Sequence, residues 1–131
     1  SENLIEGRSY PLEGHLVHAN AKGELAVVAV MFEPGRANAA LSQAWQALPA
    51  KAGESHELKE GVSAEALLPA KRDYYRFSGS LTTPPCSEGV RWLVMKEPVQ
   101  VSQAQIDAFK ALMHHPNNRP VQPLNGRLVL Q

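Results

Sequence analysis

Hydrophobic and polar residues interleave along Leu12 to Asn20, a stretch that reads as a β-strand. At period two, Glu13, His15, Val17 and Ala19 share one face, and Leu12, Gly14, Leu16, His18 and Asn20 the other. Ala21-Lys22-Gly23 is a polar turn, and Glu24 to Glu33 predicts a second strand. Its stretch Leu25 to Phe32 is continuously apolar, a pattern that implies burial on both faces. A polar turn between two such strands predicts an antiparallel hairpin, closed by Pro34-Gly35. A helix is predicted next, with Asn38 as N-cap, Leu41, Trp45 and Leu48 on one face, and Pro49 as its stop. Lys51 to Pro69 is weakly patterned and reads mainly as loop, with one short helical stretch at Ala64 to Leu68.

Tyr74 to Phe77 predicts a short strand, and Val90 to Lys96, rich in β-formers, a longer one. The strongest helix signal follows. Ser102 and Gln105 make a capping box, Val101 and Ile106 are spaced for a hydrophobic staple, and Ile106, Phe109 and Met113 form the apolar stripe. Arg119 to Asn125 reads as extended and proline-rich, and Gly126 to Leu130 as a last short strand. The fold class expected is mainly β (α+β): strands dominate, with two short peripheral helices.

Composition narrows the function. A chain of 131 residues is of single-domain size and can bury a core. Thirteen basic and thirteen acidic residues give a formal net charge of zero, which argues against a nucleic-acid partner. The longest apolar run is strand-sized, too short to span a membrane as a helix. Cys86 is the single cysteine, so it is a free thiol or its partner lies outside this chain. The chain begins Ser-Glu-Asn without Met, which reads as a processed or truncated N-terminus.

Candidate chemistry gathers in Ser80-Leu-Thr-Thr-Pro-Pro-Cys86. Each proline fixes its own φ and biases the residue before it away from helix, so the loop is stiff and presents two adjacent hydroxyls. It is either a geometric turn or a hydroxyl held over a reaction centre. His15 shares a strand face with Glu13, the arrangement by which a carboxylate fixes an imidazole tautomer toward a metal. Taken alone, a histidine so placed reads first as a satisfied core residue. His18 points to the opposite face and cannot chelate the same ion, and one histidine falls short of a zinc site. His114 and His115 sit at a helix end, where they suit the helix dipole, and His56 lies in loop.

Glu13-Gly-His15-Leu-Val-His18, the apolar strand Leu25 to Phe32, Gly79-Ser-Leu-Thr-Thr-Pro-Pro85, Trp92 with Lys96-Glu-Pro98, and Asn118-Arg-Pro-Val-Gln-Pro123 occur in this order. In that combination the whole chain resembles the C-terminal part of an α-class carbonic anhydrase of the bacterial, secreted type. The resemblance implies a central, largely antiparallel twisted sheet and a Zn2+ cofactor held by three histidines. It implies interconversion of carbon dioxide and bicarbonate, and binding of sulfonamide or anion inhibitors. His15 is then a zinc ligand and Glu13 the carboxylate behind it. Thr82 is the hydroxyl that orients zinc-bound hydroxide, with Glu2 accepting its proton. Thr83 lines the bicarbonate site, and Val17, Val27, Leu81, Val90 and Trp92 form the apolar wall for carbon dioxide.

By the same resemblance the Pro84–Pro85 bond is cis, and Asn117 and Arg119 belong to the hydrogen-bond net below the site. It further implies that a His-x-His pair supplying the other two ligands, the proton shuttle and a cysteine partner for Cys86 lie in a missing N-terminal segment. The chain alone is then inactive, and the location periplasmic or secreted. The competing expectation is a non-catalytic, carbonic-anhydrase-related binding module. Retention of His15, Glu13, Glu2 and Thr82 favours the enzyme.

Overall fold

The computed structural model describes residues 1–51, 53–58 and 60–131. The expected hairpin forms: β1 (Leu12–Ala19) and β2 (Leu25–Pro34) pair antiparallel, with His15 opposite Ala29 and Val17 opposite Val27. Its turn is fixed by Asn20, whose side-chain oxygen accepts from the backbone N–H groups of Lys22 and Glu24. Gly23 adopts φ 78°, a left-handed conformation that costs glycine little.

A second antiparallel pair joins β3 (Tyr74–Ser80) to β4 (Glu88–Met95). The two pairs meet through a parallel pairing of β2 with β4, giving the order β1-β2-β4-β3. The short β5 (Val99–Val101) extends the sheet by pairing parallel with the end of β2. The sheet is thus largely antiparallel with parallel joins at its centre. The central strand is β2, as its unbroken apolar run requires.

Each face of the sheet carries its own core. On one, Val30 and Phe32 pack with Met95, Val101, Leu41 and Ile106, which brings in both helices, α1 (Ala39–Ala44) and α2 (Gln103–Met113). On the other, Val27, Ala29, Met31, Val90, Trp92 and Val94 pack with Tyr10. The second face is the one that carries Glu13 and His15.

Helix α2 starts with the expected capping box, the Ser102 side chain accepting from Gln105 N–H and the Gln105 side-chain oxygen from Ser102 N–H. It ends at His114, which takes a left-handed φ of 58°. Gln105 also donates to the Asn38 carbonyl, tying the two helix starts together.

Three expectations need correction. α1 stops at Ala44, short of Pro49, because its last turn tightens into i→i+3 bonds from Gln46 to Gln43 and from Leu48 to Trp45, leaving Leu48 exposed. The predicted strand at Gly126 to Leu130 is reduced to a single bridge between Leu130 and Arg76. There Asn125 and Gly126 form a turn, and the Arg127 side chain bonds back to the Pro123 and Leu124 carbonyls while also donating to the Ser78 carbonyl of β3, so among the described residues of this stretch only Leu130 joins β3 through its backbone. Finally, β5 falls where no strand was expected.

Candidate metal centre

Strand register sets the site. Val17, Val27, Trp92 and Phe77 are successive partners across four strands, and His15, Ala29, Val94 and Tyr75 form the next row. His15 therefore stands beside an apolar surface at the β1 edge of the sheet. Val27, Val90 and Trp92 are buried in one cluster, with Leu81 packed against it, while Val17 is exposed. The indole of Trp92 meets the His15 ring edge-on, centroids 4.9 Å apart, and donates its Nε1–H to the Ser80 carbonyl at 3.0 Å. One side chain thus links the histidine to the start of the Thr-Thr-Pro-Pro loop.

Glu13 lies behind His15 with its side chain only 2% exposed. Its Oε2 accepts from the backbone N–H groups of Glu2 at 2.6 Å and Asn3 at 2.9 Å. Its Oε1 accepts from the Asn3 amide at 2.6 Å and pairs with His15 Nε2 at 2.9 Å. Burial pushes this carboxyl up, but the hydrogen bonds from His15 and Asn3 together outweigh it and hold Glu13 below the ordinary carboxylate range. An ionised carboxylate only accepts, so His15 donates through Nε2–H, and Nδ1 is the ring nitrogen left for another partner. The nearest carboxylate oxygen to Nδ1 is Oε2 of Glu2 at 3.8 Å. The other oxygen of Glu2 accepts from the Arg119 backbone N–H at 2.8 Å.

The loop after β3 is closed by Cys86 N–H bonding the Thr83 carbonyl and Leu81 N–H bonding the Ser87 carbonyl, and its Pro84–Pro85 bond is cis. Thr82 is half-buried and Thr83 exposed, and both line a cleft of about 590 Å³ with Glu2, Glu13 and His15. So the structure gathers at one cleft the residues singled out for metal binding and catalysis. It does not form a Thr82–Glu2 hydrogen bond among the described residues. Asn117 lines the same cleft, and His114 and His115 stand on its wall as well as at the end of α2. His56 is exposed, and Cys86 is a half-buried free thiol.

Asn3 was not anticipated. Nothing in a loop read from Ser1 to Tyr10 marks it, because its partner Glu13 is ten residues away and the pairing depends on how that loop folds back. As a metal site the donor set fits in part. His15 lines the cleft with its Nε2 committed to Glu13, yet no cluster of three or more His, Cys, Asp or Glu suited to a metal ion exists among the described residues.

The sequence model for eukaryotic-type carbonic anhydrase matches residues 1–131. The chain belongs to that family. A carbonic anhydrase of Pectobacterium carotovorum is 55% identical over 99% of this chain, an alignment that takes in 53% of that protein. One of Neisseria gonorrhoeae is 47% identical over the whole chain and 52% of its own length. Among solved structures, the α-carbonic anhydrase of Thermovibrio ammonificans in complex with the inhibitor sulfanilamide superposes with a TM-score of 0.97 at 49% identity. That match covers 100% of this chain and 58% of the other. The Photobacterium profundum α-carbonic anhydrase gives 0.94 at 57% identity, covering 100% and 60%. The chain spans about half the length of the curated carbonic anhydrases it matches.

Proposed function

We propose that these residues form the C-terminal part of a zinc carbonic anhydrase, and that the complete protein interconverts carbon dioxide and bicarbonate. The observation that carries this reading is the Glu13–His15 pair, which engages Nε2 and leaves Nδ1 for a metal on a histidine that lines an open cleft. Polypeptide beyond these residues supplies the remaining ligands, in keeping with the half-length match to the relatives. Zinc in such a site lowers the pKa of a bound water to about 7 and so supplies a nucleophile at neutral pH.

The chain's own residues do the rest. Glu13 keeps the His15 ring in one orientation and raises its basicity toward the metal. Glu2 has Oε1 committed to Arg119, which leaves Oε2 to accept the hydroxyl proton of Thr82. With that proton committed, Thr82 can only accept from the reacting group, and so selects which lone pair faces the substrate. Val17 and Leu81 offer apolar carbon dioxide a surface that binds water poorly, backed from the core by the buried Val27, Val90 and Trp92. Thr83 lies where product or an inhibitory anion would be held. Sulfonamide binding belongs to the same proposal, supported by the sulfanilamide complex of the Thermovibrio protein.

The test is carbon dioxide hydration by the complete protein, with and without Thr82→Ala. Loss of an oriented group at a reacting oxygen costs roughly 10²-fold in turnover or more. Unchanged turnover would remove Thr82 from the mechanism. A zinc-loaded complete protein that hydrates no carbon dioxide would favour the binding module.

A further inference from the structure

The four acceptor sites of Glu13 are filled, two on each oxygen, and Asn3 fills one on each. Its backbone N–H bonds Oε2 at 2.9 Å and its side-chain amide bonds Oε1 at 2.6 Å, so one residue grips both ends of the carboxylate. The Glu2 N–H contact touches Oε2 alone and could not by itself stop the carboxylate plane from turning. His15 bonds Oε1, the oxygen that the Asn3 amide holds. We infer that Asn3 is a positioning residue which, by chelating Glu13 through backbone and amide, locks His15 in the Nε2–H tautomer with Nδ1 directed into the cleft.

This rests on the reading of His15 as a metal ligand but goes a step further out, to a residue that touches neither metal nor substrate. The geometry ties three functions to one short segment. Glu2 turns its side chain toward the cleft and its N–H toward Glu13, while Asn3 turns both of its donors toward Glu13. The segment therefore couples the placement of the Glu2 carboxylate to the tautomer of His15. A change at position 3 should disturb the histidine before it disturbs the fold, since Asn3 belongs to neither hydrophobic core.

The tautomer can be read without metal, by imidazole ¹⁵N NMR of His15 in the zinc-free complete protein. The wild type is expected to show one nitrogen protonated and the other bare, with the proton on Nε2. Asn3→Leu keeps the backbone donor and the approximate size but removes the amide. It should raise the Nδ1–H share by about fivefold or more, the scale of a lost bond to a charged group. Asn3→Gln, which can still donate, should restore most of the wild-type pattern. Sheet amide shifts report whether the fold survives. If Asn3→Leu does not fold, the milder Asn3→Ser gives the same comparison. A His15 tautomer that ignores the loss of the amide, or that shifts equally in the leucine and glutamine variants, would overturn the inference. Zinc analysis of the complete protein separates the two claims: zinc bound through His15 with no tautomer response would leave the metal reading standing and remove Asn3.

Discussion

Glu13 is nearly buried and yet ionised below the ordinary carboxylate range, because four donors replace the water it has lost. That has a consequence for stability. A carboxyl whose folded pKa lies below its unfolded value stabilises the fold above the unfolded value, and the contribution is lost as pH falls through the folded one. In the metal-free chain, the stability advantage of wild type over Glu13→Gln should therefore be constant above about pH 4.5 and shrink below it. Urea unfolding of both proteins across that range measures it, and a gap that stays constant into strong acid would be the contrary result. In the complete protein, Glu13→Ala should weaken zinc binding by roughly 10–100-fold, the usual effect of removing a carboxylate behind a ligating histidine. Competition with a chromophoric chelator reads this directly. At this scale the sequence was informative where the spacing is fixed by a strand. The two-residue step from Glu13 to His15 places both on one face, whatever the rest of the fold does. It was silent on Asn3, whose contact crosses a loop, and on the indole bridge from Trp92 to Ser80, which spans twelve residues and two strands.

The elements divide in the same way. The β1–β2 hairpin and α2 were legible because each carries its own local instructions, the Asn20-to-Gly23 turn in one case and the Ser102 capping box in the other. Ser102→Ala should cost about 1 kcal/mol, typical of a lost N-cap, with the midpoint of urea unfolding shifted and its slope unchanged. The cap lies at the start of α2, where Ile106 packs in the core on the far side of the sheet from His15, and not at the His114–His115 end that walls the cleft, so the site geometry should survive the change. β5 escaped notice because it is three residues long and is defined as a strand by its pairing with β2, a long-range contact that no local pattern encodes. The α1 end was overestimated because the apolar spacing of Leu48 continues past the point where the backbone tightens.

For the whole molecule, the sheet order puts β1 at an edge, with His15 on it and β2 as its paired neighbour among the described residues. The motifs that carry the family resemblance converge there: the strand of Glu13 and His15, the loop of Thr82 and Thr83, and the segment of Arg119 that binds Glu2. What composition and periodicity could not convey is that convergence, since it depends on the parallel pairing of β2 with β4. Zinc content together with the rate of carbon dioxide hydration, measured on the 131-residue chain and on the complete protein, bears most directly on the proposed function. About one zinc per complete molecule with zinc-dependent hydration, and neither in the 131 residues alone, is the expected result. Zinc-dependent hydration by the 131 residues alone, or a complete protein that takes up no zinc and hydrates no carbon dioxide, would contradict it.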